Sequence, residues 1–244
     1  MRVAVVADIH GNFDALLAVA EDIKDASPDL IVNLGDCFSG PLEAERSADF
    51  LIAAGWPTVR GNHDRALIDR PREKMGDWEA PAYDRMAPAH FDWIRALPET
   101  LAIEGLFLCH GTPRSDMTYL MEEVLAGRMV LRDSKLVESD LAGIDANVIL
   151  CGHSHTPRHM RLLDGRLVVN PGSVGSQAYS DPSETPHLME QGSPHARYAL
   201  LDRSKGRWSV TQRFVDYDWE RASRLAKEAG DEEWAIALAT GRMR

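Results

Sequence analysis

Asp8-Ile9-His10, Gly35-Asp36, Gly61-Asn62-His63-Asp64, His110-Gly111 and Gly152-His153-Ser154-His155 are five short clusters of carboxylate, amide and imidazole side chains in a chain of 244 residues. Mixed oxygen and imidazole donors suit borderline divalent ions such as Mn, Fe, Zn or Ni. There are enough donors here for two ions, and a pair of ions is the usual apparatus for hydrolysing a phosphate ester. His153 and His155 are two apart, so an extended segment would point both to one side.

Such donors act together only if the fold gathers them. Four of the clusters follow apolar runs, Val3–Ala7, Leu30–Leu34, Leu106–Cys109 and Val148–Cys151, and the other follows Thr58-Val59-Arg60. A buried parallel strand is such a run, and loops at the carboxyl ends of parallel strands meet along one edge of the sheet. The first strand spans Arg2–Ala7. Asn12 to Lys24 carries Phe13, Leu16, Leu17, Ala20 and Ile23 at helical spacing, and Ser27-Pro28 ends it before the second strand. A second helix fits Leu42 to Ala54, closed by Gly55, so the chain opens as βαβαβ.

From Arg65 to Glu99 the pattern weakens. Pro71, Pro81, Pro88 and Pro98 cut it into short helical pieces bearing Trp78, Tyr83 and Trp93, an excursion that partly covers the site. Hairpins are expected around Glu104-Gly105, around Asp164-Gly165 and across Ser204-Lys205-Gly206. Met117 to Leu141 reads as a helical stretch, Ser176 to His195 as a long ordered loop, and the tail from Asp218 as amphipathic helix. The fold class is α/β, a two-sheet β-sandwich flanked by helices, with residues 1–244 expected to form a single domain.

Composition narrows the function classes. Apolar residues make up 44% and charged residues 27%, an ordinary globular balance. No run approaches the roughly 20 apolar residues of a membrane span. Met1-Arg2 leads directly into a strand without the pattern of a secretory signal, which points to the cytoplasm. The three cysteines are an odd count, against a disulfide framework, and read as small apolar residues at buried strand ends. A net charge of −11 repels duplex nucleic acid, and the linear sequence shows no cluster of Lys and Arg. Bound dications would still admit a small phosphorylated substrate.

Taken in order from Asp8 to Gly175, the clusters resemble the calcineurin-like metallophosphoesterase superfamily. Asn170-Pro171-Gly172-Ser173, followed by Val174-Gly175, is similar to the motif of its small prokaryotic phosphodiesterases. The resemblance implies that Asp8, His10 and His155 hold one ion, that Asn62, His110 and His153 hold a second, and that Asp36 bridges both. It also implies that His63 is the catalytic histidine, protonating the leaving oxygen or stabilising its developing charge. Paired ions would lower the pKa of a shared water, supply hydroxide near neutral pH, and neutralise the phosphoryl oxygens during attack. The implied substrate is a phosphomonoester or phosphodiester of a small molecule. The alternatives are a nucleotide-polyphosphate hydrolase, a protein phosphatase, or a non-catalytic interaction scaffold of the same fold.

Departures from the family pattern discriminate among these. Protein phosphatases of the superfamily carry Asp where Ser39 stands and Glu where Asp64 stands. The lipid-A pathway hydrolases carry Arg at the position of His63, and the scaffold branch lacks a histidine there. What orients His63 is left open by the sequence. Arg114, His187, His195 and Arg197 are the candidates for binding substrate. Trp78 and Trp93 read as packing of a lid, the glycine of the Asn170–Ser173 turn as structural, and His90 and His159 as surface or half-buried.

Overall fold

The computed structural model describes residues 1–182 and 185–243. In chain order it runs β1 (Arg2–Val6), α1 (Phe13–Ala26), β2 (Leu30–Asn33), α2 (Ala44–Ala54), α3 (Asn62–Asp69), a 3₁₀ turn (Arg72–Lys74), α4 (Ala80–Arg85) and α5 (Pro88–Ala96). Then come β3 (Thr100–Ile103), β4 (Leu106–Cys109), β5 (Glu122–Leu125), β6 (Arg128–Leu131), α6 (Ser134–Asp140), β7 (Val148–Leu150), β8 (Arg158–Arg161) and β9 (Leu167–Asn170). The remaining elements are β10 (Ala178–Asp181), β11 (His187–Glu190), β12 (Ala196–Ser204), β13 (Arg207–Val215), α7 (Trp219–Glu228) and α8 (Glu232–Thr240).

Two mixed sheets face each other, with strand orders β13-β12-β1-β2 and β3-β4-β7-β9-β8. β1 and β2 are parallel, as are β4, β7 and β9, so the loops that leave β1, β2, β4 and β7 emerge at one end of the sandwich. The apolar run of β1 is buried on both faces, which is why it does not alternate with polar residues. Val3 and Val5 point into the inter-sheet core with Leu108, Leu150 and Val169, whereas Ala4 and Val6 point the other way, toward Leu16 and Val19 of α1. The outer face of the second sheet is covered in part by Val137 of α6 and by Leu141.

α1 starts where Asn12 accepts the Ala15 N–H at 3.2 Å, and stops at Ser27 in the left-handed region (φ 48°). Leu42 lies just outside α2, packed against Trp234 and Leu238 of α8. The C-terminal helices are thereby fastened to the loop that leaves β2.

Two expectations fail. Met117–Leu141 is not one helix but the β5–β6 hairpin followed by short α6. Ala126 and Gly127 both adopt positive φ (51° and 74°), the backbone a two-residue hairpin turn demands, and Leu125 pairs with Arg128 across it. Ser176–His195 is not one loop either. It contains the paired strands β10 and β11, with His187 and Met189 buried and Leu188 and Glu190 exposed, a period of two hidden by its Ser, Pro and Gly content. Ser183 and Glu184 of that segment lie outside the described residues. Smaller differences are that Thr58 makes a single parallel bridge to Asn33 rather than a strand, and that the last hairpin turns on Lys205-Gly206 alone. Among the described residues no helix is long and apolar enough to cross a membrane, and Cys37, Cys109 and Cys151 are free and buried.

The inter-sheet core holds the strand ends in place. Leu150→Ala, at a fully buried position between the sheets, is expected to lower unfolding stability by about 2–5 kcal/mol in urea titration. A loss below about 0.5 kcal/mol would show that the sheets do not pack there.

Candidate metal centre

The loops after β1, β2, β4 and β7 meet the first turn of α3 at the shared end of the sandwich. Asp8, His10 and His155 each offer a ligand atom, all within 4.8 Å of one another, and Asp36, His110 and His153 do the same. His110 Nε2 lies 3.1 Å from Asp36 Oδ2, 3.0 Å from Asn62 Oδ1 and 4.0 Å from Asp8 Oδ1, so the two groups adjoin. His10 Nε2 and His155 Nε2 stand 3.0 Å apart.

Holding these donors so close costs backbone strain. Asp8, His10, Asp36, His153 and His155 all have positive φ, between 50° and 68°. A non-glycine residue there costs roughly 1 kcal/mol or more and persists only where its surroundings over-determine it. Those surroundings are visible. The Asp8 carbonyl accepts from Ser173 Oγ (2.7 Å) and from the Gly175 N–H (3.0 Å), which gives the Asn170–Gly175 segment a structural task. The buried Asp64 carboxylate accepts the backbone N–H groups of Asp36 and Cys37, each at 2.8 Å, and of Gly61 at 3.1 Å. A Cβ on Gly61 would overlap the Asp36 carboxylate, so only glycine allows this approach.

Ring orientation fits metal ligation. Nδ1 of His110 donates to the Leu34 carbonyl (2.8 Å), and Nδ1 of His155 to the Ser176 carbonyl (2.9 Å). A carbonyl only accepts, so each neutral ring keeps its proton on Nδ1 and presents the Nε2 lone pair inward. His10 Nδ1 pairs with Ser39 Oγ at 2.8 Å, so the residue at the departure Ser39 orients a candidate ligand.

The electrostatics describe a nest short of positive charge. Burial lifts Asp8 to about 8 despite the pull of His110, and Asp36 pushes it the same way. Burial acts against the charged form of His110, but Asp36 and Asp8 outweigh it and raise that imidazole to about 10. Asp36 is held well below the usual carboxylate range because His110, His63 and His10 overcome its own desolvation. Burial drives His153 and His155 down to about 3 and His10 well below an ordinary imidazole. Buried carboxylates and imidazoles at this density are a donor set suited to divalent cations.

His63 sits in the first turn of α3, where its backbone N–H donates to Asp36 Oδ1 at 2.9 Å. Its Nδ1 lies 2.7 Å from Glu79 Oε1, and the Trp78 indole stacks on its ring at 4.9 Å and 17°. Burial alone would lower the pKa of His63, but Asp36 and Glu79 raise it. A cavity of about 240 Å³ opens over the centre, walled by His63, Trp78, Tyr119 and Tyr179, with Arg70 as the cationic arginine in its lining. Trp78, Glu79 and Arg70 come from the proline-cut excursion.

Comparison with known proteins accords with this geometry. The calcineurin-like phosphoesterase superfamily domain matches residues 1–191, most of the chain. The chain belongs to this superfamily. A metallophosphoesterase from Sphaerobacter thermophilus is similar in structure, with a TM-score of 0.77 and 23% identity over 99% of both chains. The uncharacterized protein MJ0912 of Methanocaldococcus jannaschii is 22% identical over 247 residues, covering 90% of this chain and 89% of its own length. These relatives do not single out the small-phosphodiesterase branch of the superfamily.

The four candidates for binding substrate lie outside the lining of this cavity. Arg197 is 1% exposed, packs against Gly172, and binds Gln177 Oε1, Ser193 Oγ and the His195 carbonyl, bracing the Asn170–Gly175 segment from behind. His187 is buried, with Nε2 at 3.1 Å from the Tyr119 hydroxyl, one side chain removed from the cavity. His195 pairs with Asp216 at 3.1 Å, and Arg114 is exposed with its guanidinium 3.4 Å from the Ala142 carbonyl. None of the four lines the cavity. Trp78, expected only to pack, faces it. His90 is buried rather than superficial, 3.1 Å from Asp49, while His159 is exposed. Glu79 gave no motif signal, because it stands 16 positions beyond His63, past the end of α3.

Asp64→Asn sets an amide N–H₂ against backbone N–H groups that now share a carboxylate. It is expected to cost about 1–3 kcal/mol of stability, read by urea titration, and to reduce the metal retained on dialysis. Unchanged stability and metal content would mean that Asp64 does not hold the Asp36 loop.

Proposed function

We propose that this chain is a dinuclear-metal hydrolase that cleaves a phosphomonoester or phosphodiester of a small molecule. The observation that carries the reading is the placement of two adjoining ligand groups beside His63 on one cavity of about 240 Å³. The ligand sets are Asp8, His10 and His155 for one ion and Asn62, His110 and His153 for the other, with Asp36 between them. Mn, Fe, Zn and Ni all suit this donor set. Two such ions, when bound, activate water as the nucleophile and neutralise phosphoryl charge.

The chain's own residues do the rest. Asp36 would help hold both ions, and its Oδ1 is steadied by the His63 N–H. Glu79 holds Nδ1 of His63 and favours the protonated ring, which leaves Nε2–H free to protonate the departing alcohol. Trp78 fixes the plane of that ring and, with Tyr179, forms the wall met by the leaving group. The Asn170–Ser173 motif supports a place near the small phosphodiesterases. Ser39 on His10 and a cavity of this size argue against a protein phosphatase. The His63–Glu79 pair argues against a purely structural scaffold, since neither an interaction surface nor the fold requires it.

The test is turnover of bis-p-nitrophenyl phosphate and p-nitrophenyl phosphate by Mn-loaded protein. His63→Ala is expected to retain metal near the wild-type level and to lose roughly 10²–10⁴-fold in kcat. Glu79→Gln should lose less, with metal content again intact. Loss of metal in parallel with activity would make His63 a ligand, and absence of turnover in the wild-type protein on any phosphoester would refute the enzyme reading.

A further inference from the structure

The opposite end of the sandwich carries a second cavity, of about 560 Å³. Its lining includes Gly105 and Asn147, which precede β4 and β7, so it lies at the far end of the strands whose carboxyl ends bear the metal loops. Arg161, at the end of β8 in one sheet, lines this cavity together with Arg203 and Arg207, from the β12–β13 hairpin of the other. Trp208 forms part of the wall, with the Arg203 guanidinium 5.8 Å from its ring centroid.

None of these three arginines has a carboxylate partner among the described residues. The nearby acids are already engaged, Asp202 by Arg2 at 2.8 Å and Asp164 by Arg166 at 2.6 Å. Glu104 is the one carboxylate in the lining, which leaves the cavity cationic. In a chain of net charge −11, three exposed guanidiniums without a carboxylate partner line one cavity between two sheets, Arg161 also donating to the Gly165 carbonyl at 3.1 Å. The linear sequence hides it, because residues 161, 203 and 207 converge only when the sandwich closes.

We propose that this cavity is a binding site for an oligophosphate chain, as carried by inorganic tripolyphosphate or by a nucleoside triphosphate. Guanidinium forks match phosphate oxygens bidentately, and their weak hydration makes them the preferred residue for such recognition. The volume falls in the range of small-ligand sites and accommodates a di- or triphosphate chain. Three cations spread over two sheets suit several linked phosphoryl groups better than one. The site stands independently of the chemistry proposed for the metal centre.

Calorimetric titration of the metal-loaded protein with tripolyphosphate and with a methylene-bridged ATP analogue tests it, alongside tryptophan fluorescence in the wild type and in Trp208→Phe. Binding is expected, with a fluorescence change that Trp208→Phe abolishes. Orthophosphate should bind at least tenfold more weakly, about the effect of one lost charge-assisted contact. Arg203→Gln combined with Arg207→Gln should weaken tripolyphosphate roughly 100-fold, on the same scale per contact, and leave bis-p-nitrophenyl phosphate turnover unchanged. The single variant Arg161→Gln, on the other sheet, repeats the test if the double variant folds poorly. A tighter ATP analogue would assign the base to the Trp208 wall, and equal affinities would confine recognition to the phosphates. No heat at millimolar tripolyphosphate, or an affinity unchanged by the arginine substitutions, would overturn the proposal.

Discussion

Asp8 and Asp36 are buried carboxylates packed among the imidazoles of His10, His110, His153 and His155, and this desolvated cluster constrains much of the surrounding structure. Charges removed from water must be compensated locally. Burial pushes Asp8 up, and Asp36 and Asp8 push His110 up, so both groups favour a bound proton. Divalent ions meet the need better, because the ring tautomers set by Leu34 and Ser176 already aim lone pairs at the centre.

The strain of gathering these donors is distributed across the fold. Five candidate ligands have left-handed backbone, and each bends the chain sharply just after or near a strand end. Asp64, Ser173 and the Gly61 approach fix those bends through backbone hydrogen bonds and close packing. Arg197, buried behind the Asn170–Gly175 segment, extends the same support to the second layer of loops. Both sheets contribute, so the centre depends on their packing as much as on any one loop.

Much of this was legible in the sequence, and the reason is geometric. Parallel strands buried on both faces leave continuous apolar runs, so Val3–Ala7 and Val148–Cys151 announce where the polar clusters Asp8–His10 and His153–His155 must stand. The clusters the fold gathers are accordingly those the spacing marked. What depended on an irregular path was not legible. Glu79 reaches His63 by way of a proline-cut excursion with no period of its own. The β5–β6 and β10–β11 hairpins were obscured because an Ala-Gly turn and a polar strand look locally like helix and loop. Arg197 stood in an expected strand, but its packing against Gly172, Gln177 and Ser193 depends on distant segments that the sequence does not bring together.

The proposed metal centre requires two cations sharing Asp36. Crystals of the Mn-loaded protein measured at the Mn absorption edge test this most directly. The predicted result is two anomalous peaks about 3.5–4 Å apart, with Asp36 between them and Asp8, His10 and His155 around one. A single peak, or peaks away from Asp36, would contradict it.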